Sequence, residues 1–193
     1  MSKDDKRTAI LQATMELVAE KGFHDAPCSL IAERAGVAAG TIYRYFANKD
    51  VLINELYCEL EARINASILI GYTTEMPFRE RFIHLVSHLL RFFISNPCEF
   101  KYIEQFHNSP YGEAFRRDRM LDQAEDEGSG IYCELFRQGT AQQVLKDLPL
   151  PLQFDLAFGP TVFAARNHVL GFLKLDDEMI SRFSEACWDS IRR

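Results

Sequence analysis

The feature that most constrains this chain is a pair of short helical stretches separated by one glycine. Residues 28–35, CSLIAERA, place Ile31, Ala32 and Ala35 on one side. Gly36-Val37 makes a tight turn, and residues 38–46, AAGTIYRYF, resume with Ile42, Tyr45 and Phe46 as packing groups. Isolated helices shorter than about 12–15 residues are marginal in water, so neither stretch holds alone. Both need a shared core, and the flanking sequence supplies it. Residues 7–21 repeat apolar groups at Ile10, Leu11, Ala13, Thr14, Leu17 and Val18, which is helical spacing with a polar opposite face. Gly22 ends that helix in the left-handed conformation common past a C-terminus, and Phe23 offers an anchor after the turn. Pro27 fits the first turn of the second helix, where its missing N–H costs nothing. Asn48 is placed to cap a fourth helix from Lys49 to about Ile70, striped by Val51, Leu52, Leu56, Leu60, Ile64 and Ile68.

Beyond Gly71 the pattern stays helical. Helices are expected near 77–95, 98–108, 111–123, 130–145, 152–173 and 177–192, broken at Asn96-Pro97, Ser109-Pro110, Gly128-Ser129-Gly130, Pro149-Leu150-Pro151 and Asp176-Asp177. No segment sustains the apolar–polar alternation of a strand. The expectation is an all-α chain of about nine helices: a three-helix head over residues 1–50 and a helical body over 51–193.

Composition says little against this. The chain is 47% hydrophobic and 26% charged, the balance of a globular protein. No apolar run reaches the ~18 residues of a membrane span, and the charged N-terminus lacks a secretory signal's apolar core. The cytoplasm is therefore the expected compartment, with no membrane partner. Five cysteines at wide spacing, with no C-x-x-C, argue against a disulfide framework or zinc knuckle. The net charge of −6 belongs to the body, because residues 1–50 hold seven Lys/Arg and seven Asp/Glu. A neutral head still binds phosphate if its basic residues face one way.

Helix, turn and helix within about 20 residues is the layout of a helix-turn-helix, whose second helix lies in the DNA major groove. A generic three-helix bundle would share the layout, so particular residues carry the distinction. Gly40 opens the third helix, where glycine costs roughly 0.5–1 kcal/mol in a helix and so needs a reason, such as close approach of a DNA backbone. Thr41 can donate to phosphate or touch a thymine methyl. Tyr43, Arg44 and Tyr45 follow, with polar tips suited to phosphate, and Arg44 can pair bidentately with guanine. Lys49 sits where a helix dipole disfavours a cation, which suits a phosphate clamp.

The string Ile31-Ala32-Glu33-Arg34-Ala35-Gly36-Val37, then Gly40-Thr41-Ile42-Tyr43-Arg44-Tyr45-Phe46, Asn48-Lys49-Asp50 and Leu52, closely resembles the DNA-binding head of the TetR family of bacterial repressors. The likeness runs over residues 8 to about 56. Later, Leu135-Phe136-x-x-Gly139, Lys146-Asp147-Leu148-Pro149 and Phe158-Gly159-Pro160 look like the late body helices of some members. The resemblance implies a homodimer that represses transcription from a palindromic operator on double-stranded DNA. It also implies that a small-molecule effector bound in the C-terminal body releases the dimer from the operator. By position, Ser29, Ala39, Gly40, Thr41, Tyr43, Arg44, Tyr45 and Lys49 match the family's DNA contacts. Ala38 and Ala39 replace the Ser and Lys of many members, and Pro27 replaces a capping threonine. Ala39 cannot donate a hydrogen bond, which moves readout there toward methyl contact or shape.

In the body, 18 of the chain's 23 aromatic residues lie after residue 70. His88, Phe92, Tyr102, Phe106, Tyr132, Phe136, Phe163 and Asn167 are candidates to line an effector pocket for a largely apolar or aromatic molecule. His84 and His88 stand at i and i+4, with Glu104 and His107 one helix on, but satisfied or solvent-facing histidines are expected there rather than a metal. No cofactor is implied. Leu152, Leu156, Phe163, Val169 and Leu170, with Met179, Ile180, Phe183, Cys187 and Ile191, stripe the last two helices, a pattern for a four-helix dimer interface. No G-x-S-x-G, H-E-x-x-H, Walker loop or dinucleotide fingerprint occurs, so an enzyme is not expected.

Overall fold

The computed structural model describes residues 3–121 and 130–193. Among these, ten helices and no strand are present: α1 (Lys3–Lys21), α2 (Cys28–Arg34), α3 (Ala39–Ile42), α4 (Lys49–Ile68), α5 (Phe78–Ser95), α6 (Pro97–His107), α7 (Pro110–Leu121), α8 (Gly130–Ala141), α9 (Leu150–Val169) and α10 (Asp177–Ile191). The Gly128-Ser129 part of one expected breaker, and the last two residues of the 111–123 helix, lie outside the described residues.

The chain divides into two compact units: residues 1–61 with 97–122, and 62–96 with 123–193. The first contains the head but reaches beyond residue 50. In it, Ile10, Leu17 and Val18 of α1, Ile31 of α2, Ile42 of α3 and Leu52 and Ile53 of α4 are each fully buried. Phe46 at the end of the head and Tyr102 and Phe106 of α6 are buried with them. The α1 terminus forms as expected: Gly22 takes φ +84°, and its N–H bonds Val18 O at 2.8 Å. Gln105 of α6 donates Nε2 to that same carbonyl at 2.7 Å, so a helix distant in sequence helps seal the end of α1. Asn48 caps α4 through Oδ1, which accepts from Val51 N at 2.9 Å.

Two local expectations change. Pro27 stands at the N-cap of α2 rather than inside its first turn, with φ −68° and ψ 154° and no side-chain cap bond. The third helix is shorter than 38–46. After Ile42 the backbone tightens: Arg44 N bonds Thr41 O at 3.1 Å and Tyr45 N bonds Ile42 O at 3.0 Å. These i→i+3 bonds are the usual tightening at a helix end, and they bring Phe46 into the core at 1% exposure.

In the second unit, α5 is buried on most of its circumference, through Phe82, Leu85, Val86, Leu89, Leu90, Phe92 and Phe93. A helix apolar on so many sides is a central one. Tyr132 and Phe136 of α8 join Phe154 and Phe158 of α9 in an aromatic cluster, with centroids 4.8 Å apart for Tyr132–Phe158 and 4.9 Å for Phe136–Phe154. Asp176 caps α10 by accepting from Met179 N at 2.9 Å. Ile180, Cys187 and Ile191 of α10 pack inside this unit, which removes them from the expected dimer stripe. Leu152, Phe163, Leu170 and Met179 remain exposed, Phe163 at 59%. No described helix is long and apolar enough to cross a membrane.

Candidate nucleic-acid interface

Helices α2 and α3 meet at the turn made by Gly36, whose φ of +66° suits glycine. The α3 surface is the exposed part of this motif. Ser29, Ala39, Gly40, Tyr43 and Arg44 are exposed, and Thr41, Tyr45 and Lys49 are half-buried. Ile42 and Phe46 point the opposite way and are buried, so the same four-residue helix supplies both the anchor and the outward face.

Gly40 is informative because the protein itself does not need it. A Cβ built there meets nothing within 4 Å, and its backbone is not among those with positive φ. Neither internal packing nor backbone strain calls for a glycine here, and a helix surface without a Cβ can admit close approach of another backbone.

The charges of the head are sorted. Arg7 pairs with Glu55 at 2.7 Å and Glu59 at 2.6 Å and lies 5.5 Å from the Phe46 ring centroid. Arg34 binds both oxygens of Glu20, at 2.7 and 2.9 Å. That bidentate hydrogen bond lowers the Glu20 carboxyl below its ordinary range. Arg44, by contrast, is exposed and forms no ion pair among the described residues. A guanidinium without an internal carboxylate is available to phosphate or a guanine edge. The Cys28 thiol beside the Tyr43 hydroxyl, also on this face, raises that hydroxyl above its ordinary pKa.

Lys49 has a second role that the sequence did not disclose. Its Nζ donates to the Phe23 carbonyl at 2.7 Å, fastening α4 to the loop after α1. Phe23 is held in turn against Tyr102 and Tyr111, at 5.7 and 5.2 Å between centroids. Tyr111 donates to Asp50 at 3.1 Å, and buried Tyr102 donates to Ile53 O at 2.8 Å. An ammonium has three donors, so the Phe23 bond leaves Lys49 able to contact phosphate.

The pocket candidates fall in both units. Tyr132 and Phe136 share the α8–α9 aromatic cluster. Phe92 is buried in α5. His88 donates Nδ1–H to His84 O at 2.9 Å and stacks on His84 at 3.7 Å. Tyr102 and Phe106, however, belong to the head's unit, and Phe106 stacks on Tyr57 at 3.9 Å. Phe163 and Asn167 are exposed. Helical periodicity identifies a buried face but not which neighbour covers it. Among the described residues, no three His, Cys, Asp or Glu side chains are gathered to hold a metal. Burial raises the thiols of Cys98 and Cys187, the latter to about 11, so neither is a ready thiolate.

Comparison with known proteins adds independent findings. Residues 10–56 match the model of the bacterial regulatory proteins of the tetR family, and residues 77–192 match the tetracyclin repressor-like C-terminal domain. The fold is similar to a TetR family protein of Vibrio parahaemolyticus, a putative transcriptional regulator by its description, at TM-score 0.76 and 31% identity, over 97% of this chain and 99% of that one. It is also similar to a TetR family transcription regulator of Marinobacter aquaeolei VT8, at TM-score 0.85 and 25% identity, over 98% and 96% of the two chains. A 97-residue stretch is 34% identical to the HTH-type transcriptional repressor KstR of Mycobacterium tuberculosis, covering 48% of this chain and 42% of that one. The chain spans less than two thirds of the length of the curated relatives it matches first.

Proposed function

The chain belongs to the tetR family of bacterial regulatory proteins, and from that premise we propose that it is a repressor that binds a palindromic operator as a homodimer and leaves it when a small, largely apolar or aromatic effector occupies the body. It is a helix-turn-helix DNA-binding transcription regulator, not an enzyme.

The observation that carries the reading is the α3 face, where exposed Gly40, Tyr43 and Arg44 stand over a buried Ile42 and Phe46. Gly40 admits the DNA backbone, Thr41 and Arg44 read or approach base edges, and Tyr43, Tyr45 and Lys49 hold phosphates. Ser29 and Ala39 flank them. The likeness to KstR, a protein named as a repressor, favours repression over activation. Exposed Leu152, Phe163, Leu170 and Met179 on and beside the last two helices supply an apolar face for a second copy. The α8–α9 aromatic cluster favours an apolar or aromatic effector. The protein then acts in the cytoplasm, where its operator is.

Operator selection from random duplexes, followed by footprinting on the DNA beside its own gene, tests this. One short palindrome overlapping a promoter, with half-sites about 34–36 Å apart or slightly more, and a reporter silenced by the protein are expected. Broad coverage without site preference, or a stimulated reporter, overturns the repressor reading.

A further inference from the structure

Arg81 lies in the interior of the second unit at 7% exposure. Its neighbours along the buried positions of α5 are apolar apart from Ser87. Among the described residues the guanidinium makes one hydrogen bond, from Nη1 to Gln138 Oε1 at 3.0 Å, and it sits 5.2 Å from the Phe78 ring centroid. Its Nε has no acceptor, and no ion pair forms at Arg81 among the described residues. The contrast within the same protein is sharp. Arg7, Arg34, Arg79, Arg91 and Arg192 all pair with carboxylates, and all are far more exposed. Gln138 itself donates Nε2 to Glu134 Oε1 at 2.6 Å, so an amide stands between Arg81 and that carboxylate.

Arginine, unlike lysine, cannot escape burial by losing its proton. A buried cation without an anion destabilises the fold that contains it. Its planar fork, with Nε–H unused, matches an oxyanion bidentately. The surroundings are aromatic: Phe78 lies 6.0 Å from Trp188, and Trp188 lies 5.5 Å from Phe82, between ring centroids. A buried guanidinium met by one amide oxygen and one ring, with its Nε–H unsatisfied and no carboxylate beside it, is a feature expected of a binding site rather than of a core.

We infer that Arg81 receives the oxyanion of the effector, which is therefore an organic acid with an apolar body. The inference rests on the ligand-responsive reading above and narrows it to a chemical class. Gln138 holds the guanidinium in place, and Phe78 and Trp188 flank the acid's apolar part.

The test compares octanoate and 4-phenylbutyrate with their primary amides on the full chain, by thermal melting and by emission of Trp188, the only tryptophan. In the wild type the acids are expected to raise Tm by roughly 5 °C or more near saturation and to change the emission, while the amides do neither. Arg81→Met is expected to abolish the difference between acid and amide. Should that variant fail to fold, Arg81→Lys, which keeps a charge but loses the fork, is expected to reduce the acid shift. Acids that stabilise the wild type no better than amides, or that stabilise the substituted protein equally, overturn the inference. An amide that releases operator DNA from both proteins keeps the effector reading and refutes the oxyanion site. An acid that shifts Tm through Arg81 without releasing DNA keeps the site and refutes the effector reading.

Discussion

Replacing Gly40 by alanine should move two measurements in opposite directions. Gly40 is the second residue of α3, after Ala39 and the N-cap Ala38. Alanine adds one methyl group, which meets nothing within 4 Å inside the protein, and the backbone already suits an L-residue. Restricting the unfolded chain stabilises by about 0.4–1 kcal/mol at a compatible site, and a first-turn position takes the lower part of that range. A chain of this size gains about 2–4 °C per kcal/mol, so Tm should rise by about 1–2 °C. On DNA the methyl occupies the space that the glycine leaves open to the duplex backbone. A displacement that weakens even one phosphate contact and one base contact costs about 1.4 kcal/mol or more, a tenfold loss of affinity. Differential scanning calorimetry gives the first quantity. Fluorescence anisotropy with a labelled operator at fixed salt gives the second. Unchanged operator affinity, or a lowered Tm, would refute the argument that the glycine serves an external surface.

Arg44→Ala should weaken operator binding and relax base preference. Lys49→Ala should weaken all sequences alike and lower the salt slope by about one, while losing about 1 kcal/mol of stability through the Phe23 carbonyl bond; anisotropy across a salt series, with chemical denaturation, separates the two variants. Phe163→Glu should leave the monomer folded, because the ring is 59% exposed, yet dissociate the dimer in sedimentation velocity and reduce operator affinity at least tenfold. His84 is held below its ordinary value of 6.5 by burial and then by the neighbouring His88. The unfolded chain therefore takes up that proton first, so stability is full above 6.5 and falls as pH drops below it. Thermal melts on either side of pH 6.5 should show the fall, and His84→Gln should diminish it.

The residues that announced themselves in the sequence were those acting through local backbone rules. Gly22, Gly36 and Asn48 each occupy the turn or cap their chemistry specifies, because such rules involve only a few adjacent residues. The string from Ile31 to Leu52 was legible for the same reason. What stayed hidden depended on contacts across long stretches of chain. Tyr102 and Phe106 looked like body residues and sit with the head, since the apolar spacing of α6 does not name its partner. Ile180, Cys187 and Ile191 read as a dimer stripe and are core, because periodicity marks a buried face without telling self from partner. α3 is shorter because the backbone tightens into i→i+3 bonds after Ile42, which carries Phe46 inward. The one signal that could have exposed Arg81 was a cation within the apolar run of α5, FRERFIHLVSHLLRFF.

The bond from Gln105 to the end of α1 bears on how the protein is made. The head's unit is assembled from two chain segments, with residues 62–96 inserted between them. On a ribosome the first 61 residues emerge without the α6 groups that seal α1 and cover Ile53. Closing a loop of this length costs about 3 kcal/mol of chain entropy, which must be recovered from contacts that form only when residues 97–122 arrive. The DNA-reading helices should therefore reach their native stability late in synthesis, after the whole inserted segment and residues 97–122 have emerged. A fragment cut at residue 50 should be protease-sensitive although every residue proposed to contact DNA is present.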